Sequence, residues 1–314
     1  MAFPSVTVHV TVKNSAKTIK ACIDSLLKLN YPNKKIVVTD AFSTDGTYEI
    51  LKKYGNKITL EQVRGVAPRA HNHILQKVNT EFYAMTDSDC VVDRNWLKNL
   101  ISAFKSKQVV AAGGLVKTPK NVNRLQSLIG RELENRYNHF PKNVSRFPTM
   151  NMIVRSSVAK KVKMNENLRV AFETDWGFRL EKFGQLVYIP NAVVWHYHRG
   201  NLISFFKQQM NYARFVLPVY RKHQSKIKGD YISTTSMLLQ EILFSFTFLF
   251  AFASIFSRNF ETPLLISSFI LLISYLVSAY PISKKRGDVT LYVLLFLIRN
   301  IAWSVGLARS VFER

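Results

Sequence analysis

The sequence predicts an α/β domain on a mainly parallel sheet, followed by C-terminal transmembrane helices. Three observations carry that prediction. Strand-like and helix-like segments alternate from Val6 to Thr86. A carboxylate pair, Asp87 and Asp89, closes one of the strands. Three long apolar stretches follow residue 230 of the 314-residue chain.

Val6 to Val12 alternates strictly, with Val6, Val8, Val10 and Val12 on one face and Thr7, His9 and Thr11 on the other. That is the period of a strand. Asn14-Ser15 opens a helix over Ala16 to Leu29, where Ile19, Ile23, Leu26 and Leu27 recur at helical spacing, and Tyr31-Pro32-Asn33 stops it. Ile36 to Thr39 is a short buried strand ending at Asp40. Ser43-Thr44-Asp45-Gly46-Thr47 turns the chain into a helix that runs to about Tyr54. A strand over Ile58 to Glu61, a helix from Ala67 to Val78 and a strand over Phe82 to Thr86 complete the series. Strands alternating with helices imply a parallel sheet covered on both faces. Ligands of such sheets bind beyond the carboxyl ends of the strands, where Asp40, Asp87 and Asp89 fall.

Side chains two apart on an extended strand face the same way. Asp87 and Asp89 therefore converge where the strand stops, and a pair of carboxylates at that spacing suits a hard divalent cation shared with substrate phosphates. Taken alone the pair is equally a polar turn, and the rest of the chain decides between the two.

Residues 237–256 carry one charge, Glu241; residues 263–282 carry none; residues 289–308 carry only Arg299. Each is long enough to cross a hydrocarbon core, although Arg299 at the middle of the third makes that stretch either a span or an interfacial helix. The expected division is a cytosolic domain over residues 1–200, an amphipathic interfacial helix and linker over 201–232, and a transmembrane region over 233–314. The middle segment mixes Phe205, Phe206 and Phe215 with Lys207, Arg214, Arg221 and Lys222, which fits the membrane interface. No signal peptide precedes the first strand, and Lys284-Lys285-Arg286 marks the loop after the second stretch as cytosolic. A multi-pass protein of the cell membrane is expected, with Arg309 and Arg314 favouring a cytosolic end. The formal net charge of +24 points to anionic lipid as a partner. Nucleic acid is not expected, because no recognition module interleaves basic and aromatic residues. Cys22 and Cys90 are far apart and fit a reduced compartment.

From Val8 to Ser15, and then Ile36-Val37-Val38-Thr39-Asp40 and Ser43-Thr44-Asp45-Gly46-Thr47, the chain resembles the opening of family 2 glycosyltransferases. The resemblance continues through Gly65 to Asn72, Asp87-Ser88-Asp89 and Thr149-Met150-Asn151-Met152. It ends with Glu173-Thr174-Asp175-Trp176, Arg179 and Val193-Val194-Trp195-His196, covering residue 6 to about residue 215 in the family's order. It implies the GT-A (nucleotide-diphospho-sugar transferase) fold and a donor such as a UDP- or GDP-sugar.

Carried over by position, the resemblance implies that Thr11, Val12, Asn14 and Asp40 hold the base and ribose, and that Arg69 faces the diphosphate. Asp87 would face ribose or metal, Asp89 would bind Mg²⁺ or Mn²⁺, and His196 would complete the metal site. Asn151 and Trp176 would line the acceptor or sugar pocket. Either Glu173 or Asp175 would be the general base, since two alignments of the acidic motif compete, and Arg179 would orient the acidic helix. The implied activity is inverting, metal-dependent transfer of one sugar, of hexosyltransferase type, to a lipid-linked or membrane-proximal saccharide acceptor.

Three alternatives accompany that reading. Gln208-Gln209 with Tyr212 and Arg214-Phe215 resembles the Gln-x-x-Arg-Trp element of processive polysaccharide synthases, but with different spacing and Phe for Trp. A sugar nucleotidyltransferase would need a Gly-rich N-terminal loop, which is missing. A non-catalytic membrane protein that binds nucleotide-sugar would not need both metal-type and base-type acids.

Overall fold

The computed structural model describes residues 3–312, so Arg314 lies outside the described residues. In chain order the first elements are β1 (Val6–Val12), α1 (Ile19–Leu27), β2 (Lys34–Asp40), α2 (Thr47–Lys52), β3 (Thr59–Gln62), α3 (Ala67–Lys77), β4 (Phe82–Asp87) and β5 (Cys90–Val92). Then come α4 (Trp96–Ile101), β6 (Val109–Lys117), α5 (Arg124–Asn138), β7 (Asn143–Val144), β8 (Met152–Arg155), α6 (Ser156–Lys161), α7 (Phe172–Leu180) and β9 (Gln185–His196). Four long helices close the chain: α8 (Leu202–Lys222), α9 (Thr235–Ser254), α10 (Glu261–Ala279) and α11 (Arg286–Phe312).

The strands form one sheet in the order β3-β2-β1-β4-β8-β6-β9-β5, with β7 on β9. β3, β2, β1 and β4 are mutually parallel, and β8 reverses direction between β4 and β6. Val8 and Val10 on one face of β1 are fully buried, and so is His9 on the other. Burial of both faces is the mark of a parallel sheet under helices on each side. Val6, Val8 and Val10 join Ile23 and Leu26 of α1 and Leu51 of α2 in the main core. Each such side chain contributes about 1.5–3 kcal/mol by leaving water.

The chain divides into two compact units. The first comprises Met1–Val122 and Tyr137–His198, and holds the sheet. The second comprises Asn123–Arg136 and Arg199–Arg314, so most of α5 belongs with the four C-terminal helices. Inside this second unit Leu128 of α5, Phe205 of α8, Leu271 and Tyr275 of α10, and Tyr292 and Phe296 of α11 share a core. The segments at 235–254, 258–282 and 286–312 are long and apolar enough to cross a membrane.

Candidate active site

Strand register sets the floor of the site. Thr11 of β1 lies level with Thr39 of β2 and Asp87 of β4, and Val12 lies level with Asp40. All are at the carboxyl ends of parallel strands. The chain then turns through Ser88, whose hydroxyl is 2.8 Å from that of Ser15, into β5. β5 pairs antiparallel with β9, setting Cys90 opposite His196. The Tyr197 amide donates to the Asp89 carbonyl at 3.0 Å, and His196 Nε2 stands 3.4 Å from Asp89 Oδ1. Two groups 107 positions apart are thereby joined at one strand end.

Asp89, Cys90 and His196 form a cluster whose donor atoms lie within 4.8 Å of one another. Burial and the neighbouring charge of Asp89 push the Asp87 carboxyl up to about 7, with Glu173 adding to the push and His196 and Thr149 opposing it. The Thr149 hydroxyl reaches Asp87 Oδ1 at 3.4 Å. Burial holds the Cys90 thiol well above its usual range, so the thiol is an inert wall. Crowded carboxylates with an imidazole at hand are a hard-cation donor set, and a divalent cation there would relieve their repulsion.

The helix α7 carries the acidic motif, and its two carboxylates differ. Asp175 is 1% exposed and accepts from Arg179 Nε at 2.8 Å, one turn along the helix. Arg179 also donates to the Lys163 carbonyl. Asp175 is therefore consumed in an internal ion pair. Glu173 is half-buried, burial raises its pKa, and the charge of Arg146 pulls the other way. The Arg146 guanidinium meanwhile donates to the Thr174 hydroxyl at 2.9 Å. Trp176 is 0% exposed and its indole N–H donates to the Val162 carbonyl, so it offers no face to a ligand. Asn151 is likewise closed, accepting from the Trp96 indole and donating to the Leu115 and Ala192 carbonyls. Both residues, expected in a sugar or acceptor pocket, are core residues.

Beside the strand ends opens a cavity of about 660 Å³. Thr11, Val12, Thr39 and Ala41 line it, with Phe42 and the cations Lys13, Arg64 and Arg169 around them. Asn14 sits at a left-handed φ of 52° and braces the entrance, its Oδ1 accepting from the Thr44 amide and its own amide donating to the Ser43 hydroxyl. Asp40 is fully buried and accepts from the Ser43 amide and the Gln62 side chain, so it organises the loop rather than facing the cavity. Arg69 is turned aside into an ion pair with Glu166 at 3.1 Å. Sequence reasoning missed Phe42 and Arg64. The Arg64 guanidinium lies 4.6 Å over the Phe42 ring, and Phe42 keeps a φ of 56°. An aromatic directly after a strand-end Asp-Ala is a legible signal for a stacking platform only once Arg64 is placed above it.

Under the cavity floor, His9 Nε2 meets the Thr39 hydroxyl at 2.9 Å. His9 Nδ1 meets His71 Nδ1 at 3.0 Å and the Tyr83 hydroxyl, which also meets His71 at 2.9 Å. Burial, and then the charge of His71, holds His9 well below its usual pKa, and burial brings His71 down to about 3. A neutral, hydrogen-bonded array thus fixes Thr39 from below.

A model of glycosyl transferase family 2 matches residues 7–168 of this chain. The glycosyltransferase AglE of Haloferax volcanii is 27% identical over 171 residues, 51% of this chain and 55% of its own length. The chain thus spans little more than half of that relative. A dolichyl N-acetyl-alpha-D-glucosaminyl phosphate 3-beta-D-2,3-diacetamido-2,3-dideoxy-beta-D-glucuronosyltransferase of Methanococcus voltae is 23% identical over 319 residues, 93% of this chain and 92% of its own. Among solved structures, the mannosyltransferase PcManGT from Pyrobaculum calidifontis, in complex with GDP-Man and Mn2+, has a TM-score of 0.63 at 15% identity. That match covers 100% of this chain and 88% of the other, and it shows the GT-A fold.

Proposed function

The chain belongs to glycosyl transferase family 2, and we propose that it is a membrane-attached, inverting, metal-dependent member that moves one sugar from a nucleoside diphosphate to a lipid-linked or membrane-proximal acceptor. The observation that carries this reading is the crowd of Asp87, Asp89 and His196 at the strand ends, in the same unit as a nucleotide-sized cavity rimmed by cations. Phe42 and Arg64 stack the base, while Lys13 and Arg169 meet phosphate charge. The lipid-linked acceptor named for the Methanococcus voltae relative and the apolar helices of this chain support an acceptor at the membrane. The catalytic domain is taken to face the cytosol.

Asp89 and His196, with Asp87 behind them, would hold Mg²⁺ or Mn²⁺, which offsets negative charge on the departing diphosphate. The acceptor oxygen attacks the anomeric carbon from the side opposite the diphosphate. The bond from that carbon to the diphosphate oxygen breaks, and the nucleoside diphosphate leaves with the electron pair. Glu173 takes the acceptor proton, because its carboxylate is not consumed by an ion pair as Asp175 is, and its raised pKa suits a base. An acceptor phosphate, already ionised, would need little from Glu173.

The test uses the purified chain in lipid with Mn²⁺ and a panel of UDP-, GDP- and dTDP-sugars, following release of free nucleoside diphosphate with and without a polyprenyl-phosphate extract. Metal-dependent release from one donor, raised by the extract and lost in Asp89→Ala, is the expected result. A ladder of products in place of one added sugar would instead identify a processive synthase. Folded protein that binds no nucleotide-sugar at all would defeat the proposal.

A further inference from the structure

The third apolar helix has neighbours that a membrane span would not keep. Asp288, in its first turn, is 3% exposed and pairs with Arg124 at 3.1 Å and Arg131 at 2.8 Å, both on α5. Farther along, the Tyr292 hydroxyl donates to the Leu128 carbonyl, and Arg299 pairs with Glu132 at 2.7 Å. Residues 288, 292 and 299 of α11 thus reach residues 124, 128, 131 and 132 of α5 through their side chains. α8 packs along the same helix. The Trp303 indole donates to Gln209 at 3.0 Å, and Gly306 abuts α8 so closely that a Cβ there would fall 2.2 Å from the Met210 carbonyl oxygen.

α11 is therefore packed along α8 and tied to α5 by the side chains of residues 288, 292 and 299, with Arg299 and Ser304 also reaching Gln240 and Glu241 of α9. α5 carries Arg124, Arg131, Glu132, Glu134 and Arg136; α8 carries Lys207, Arg214, Arg221 and Lys222, of which Lys207, Arg221 and Lys222 are exposed. If α11 crossed the bilayer, those charges would be drawn in with it, at about 2.5–3.5 kcal/mol for each one near the centre. The exposed side of α11 tells the same story. Of its exposed large apolar residues, Leu294, Ile301, Val305 and Phe312 fall on one stripe, spaced by about two, one and two turns, and Val311 lies off it. One apolar stripe backed by buried charge is an interfacial pattern.

α9 and α10 differ. Only 11% of the α9 span is buried, against 39% of the α11 span, and α9 exposes Phe246, Phe248, Leu249 and Phe252. Its 20 residues cover about 30 Å, the thickness of a hydrocarbon core. Lys222, Lys226, Lys228, Lys284, Lys285 and Arg286 gather at one end of this hairpin, against Arg258 at its tip. By the positive-inside rule the first end is cytosolic.

We propose that the chain crosses the membrane only twice, through α9 and α10, and that α11 lies in the plane of the anionic cytosolic leaflet beside α5 and α8, its Leu294-Ile301-Val305-Phe312 stripe seated among the lipid headgroups. This deepens the membrane reading above. The test places single cysteines at exposed positions of the full chain, Asn259→Cys and Phe312→Cys, and labels sealed right-side-out membranes with an impermeant maleimide. Cys22 and Cys90 are buried, so the native thiols stay silent. Labelling of 259 from outside, and of 312 only after permeabilisation, is expected. Labelling of both from outside would establish three spans and overturn the proposal while leaving membrane attachment intact. Failure of 259 to label from outside would overturn both. Leu294→Cys, Ile301→Cys and Val305→Cys, probed with depth-graded nitroxide lipids, should report equal shallow depths. A span would spread them over about 16 Å, and that gradient would contradict the proposal.

Discussion

Asp87 in the sheet unit and Asp288 in the helical unit are both carboxylates drawn out of bulk water, and their surroundings are opposite. Asp288 is met by Arg124 and Arg131 and by the amides of Lys284 and Lys285. Asp87 is met by the charges of Asp89 and Glu173, with His196 and Thr149 as partial relief. Arg299 repeats the first pattern, with Glu132 and Gln240 on its two terminal nitrogens. Asp288 and Arg299 in the helical unit are thus matched by opposite charge, whereas Glu241 of that unit has the Ser304 hydroxyl as its partner. The sheet unit concentrates like charge at its strand ends, an arrangement that costs stability and is kept where a cation or a proton is to be handled.

The comparison predicts which substitutions strike activity and which strike the fold. Asp89→Ala should abolish turnover by on the order of a thousandfold or more, with an unchanged or raised melting temperature because a repulsive charge is gone. A simultaneous fall in melting temperature would place Asp89 among the matched charges instead. Arg299→Met should strand Glu132 and cost about 3–5 kcal/mol of stability, and the double variant with Glu132→Leu should recover most of it, as read from detergent unfolding curves. Asp175→Asn belongs to the same class, because it strands Arg179. Glu173→Gln should lower the rate by about 10²–10⁴-fold for a hydroxyl acceptor and far less for an acceptor phosphate, with little change in stability. If Asp175→Asn lost rate but not stability, the two acids would exchange roles.

The smallest effect concerns acid. His9 and His71 are held neutral in the folded chain, His71 with a pKa of about 3 against an ordinary value near 6.5. Their contribution is complete above the unfolded value and is lost as pH falls from about 6.5 toward 3, because the unfolded chain then binds protons that the folded chain refuses. The slope is about 1.4 kcal/mol per pH unit for each histidine. His71→Phe should flatten this acid limb of the unfolding curve; an unchanged limb would mean that carboxylates account for it.

Local pattern carried much of the fold into view. Strict alternation marks β1 at its observed limits, and the strand ending at Asp40 is β2. The apolar run at 237–256 lies within two residues of α9 at both ends. Asp87 and Asp89 stood out for the same reason, since a strand end is a local feature. What local pattern could not supply is non-local. The meeting of Asp89 with His196, expected only from the family resemblance, depends on antiparallel pairing of β5 with β9, which no local period announces. The attachment of α5 to α11 depends on ion pairs spanning more than 150 positions. Trp176 and Asn151 misled because position within a family motif says nothing of burial, and both are spent on core hydrogen bonds.

Binding of Mn²⁺ is the most direct measurement of whether crowded charge marks the functional site. Free Mn²⁺ would be followed by its paramagnetic resonance signal while wild type, Asp89→Ala and Arg299→Met are titrated in the presence of UDP or GDP. Wild type and Arg299→Met should take up about one equivalent with one of the two nucleotides, and Asp89→Ala should take up none. Equal uptake by Asp89→Ala and wild type would contradict the account.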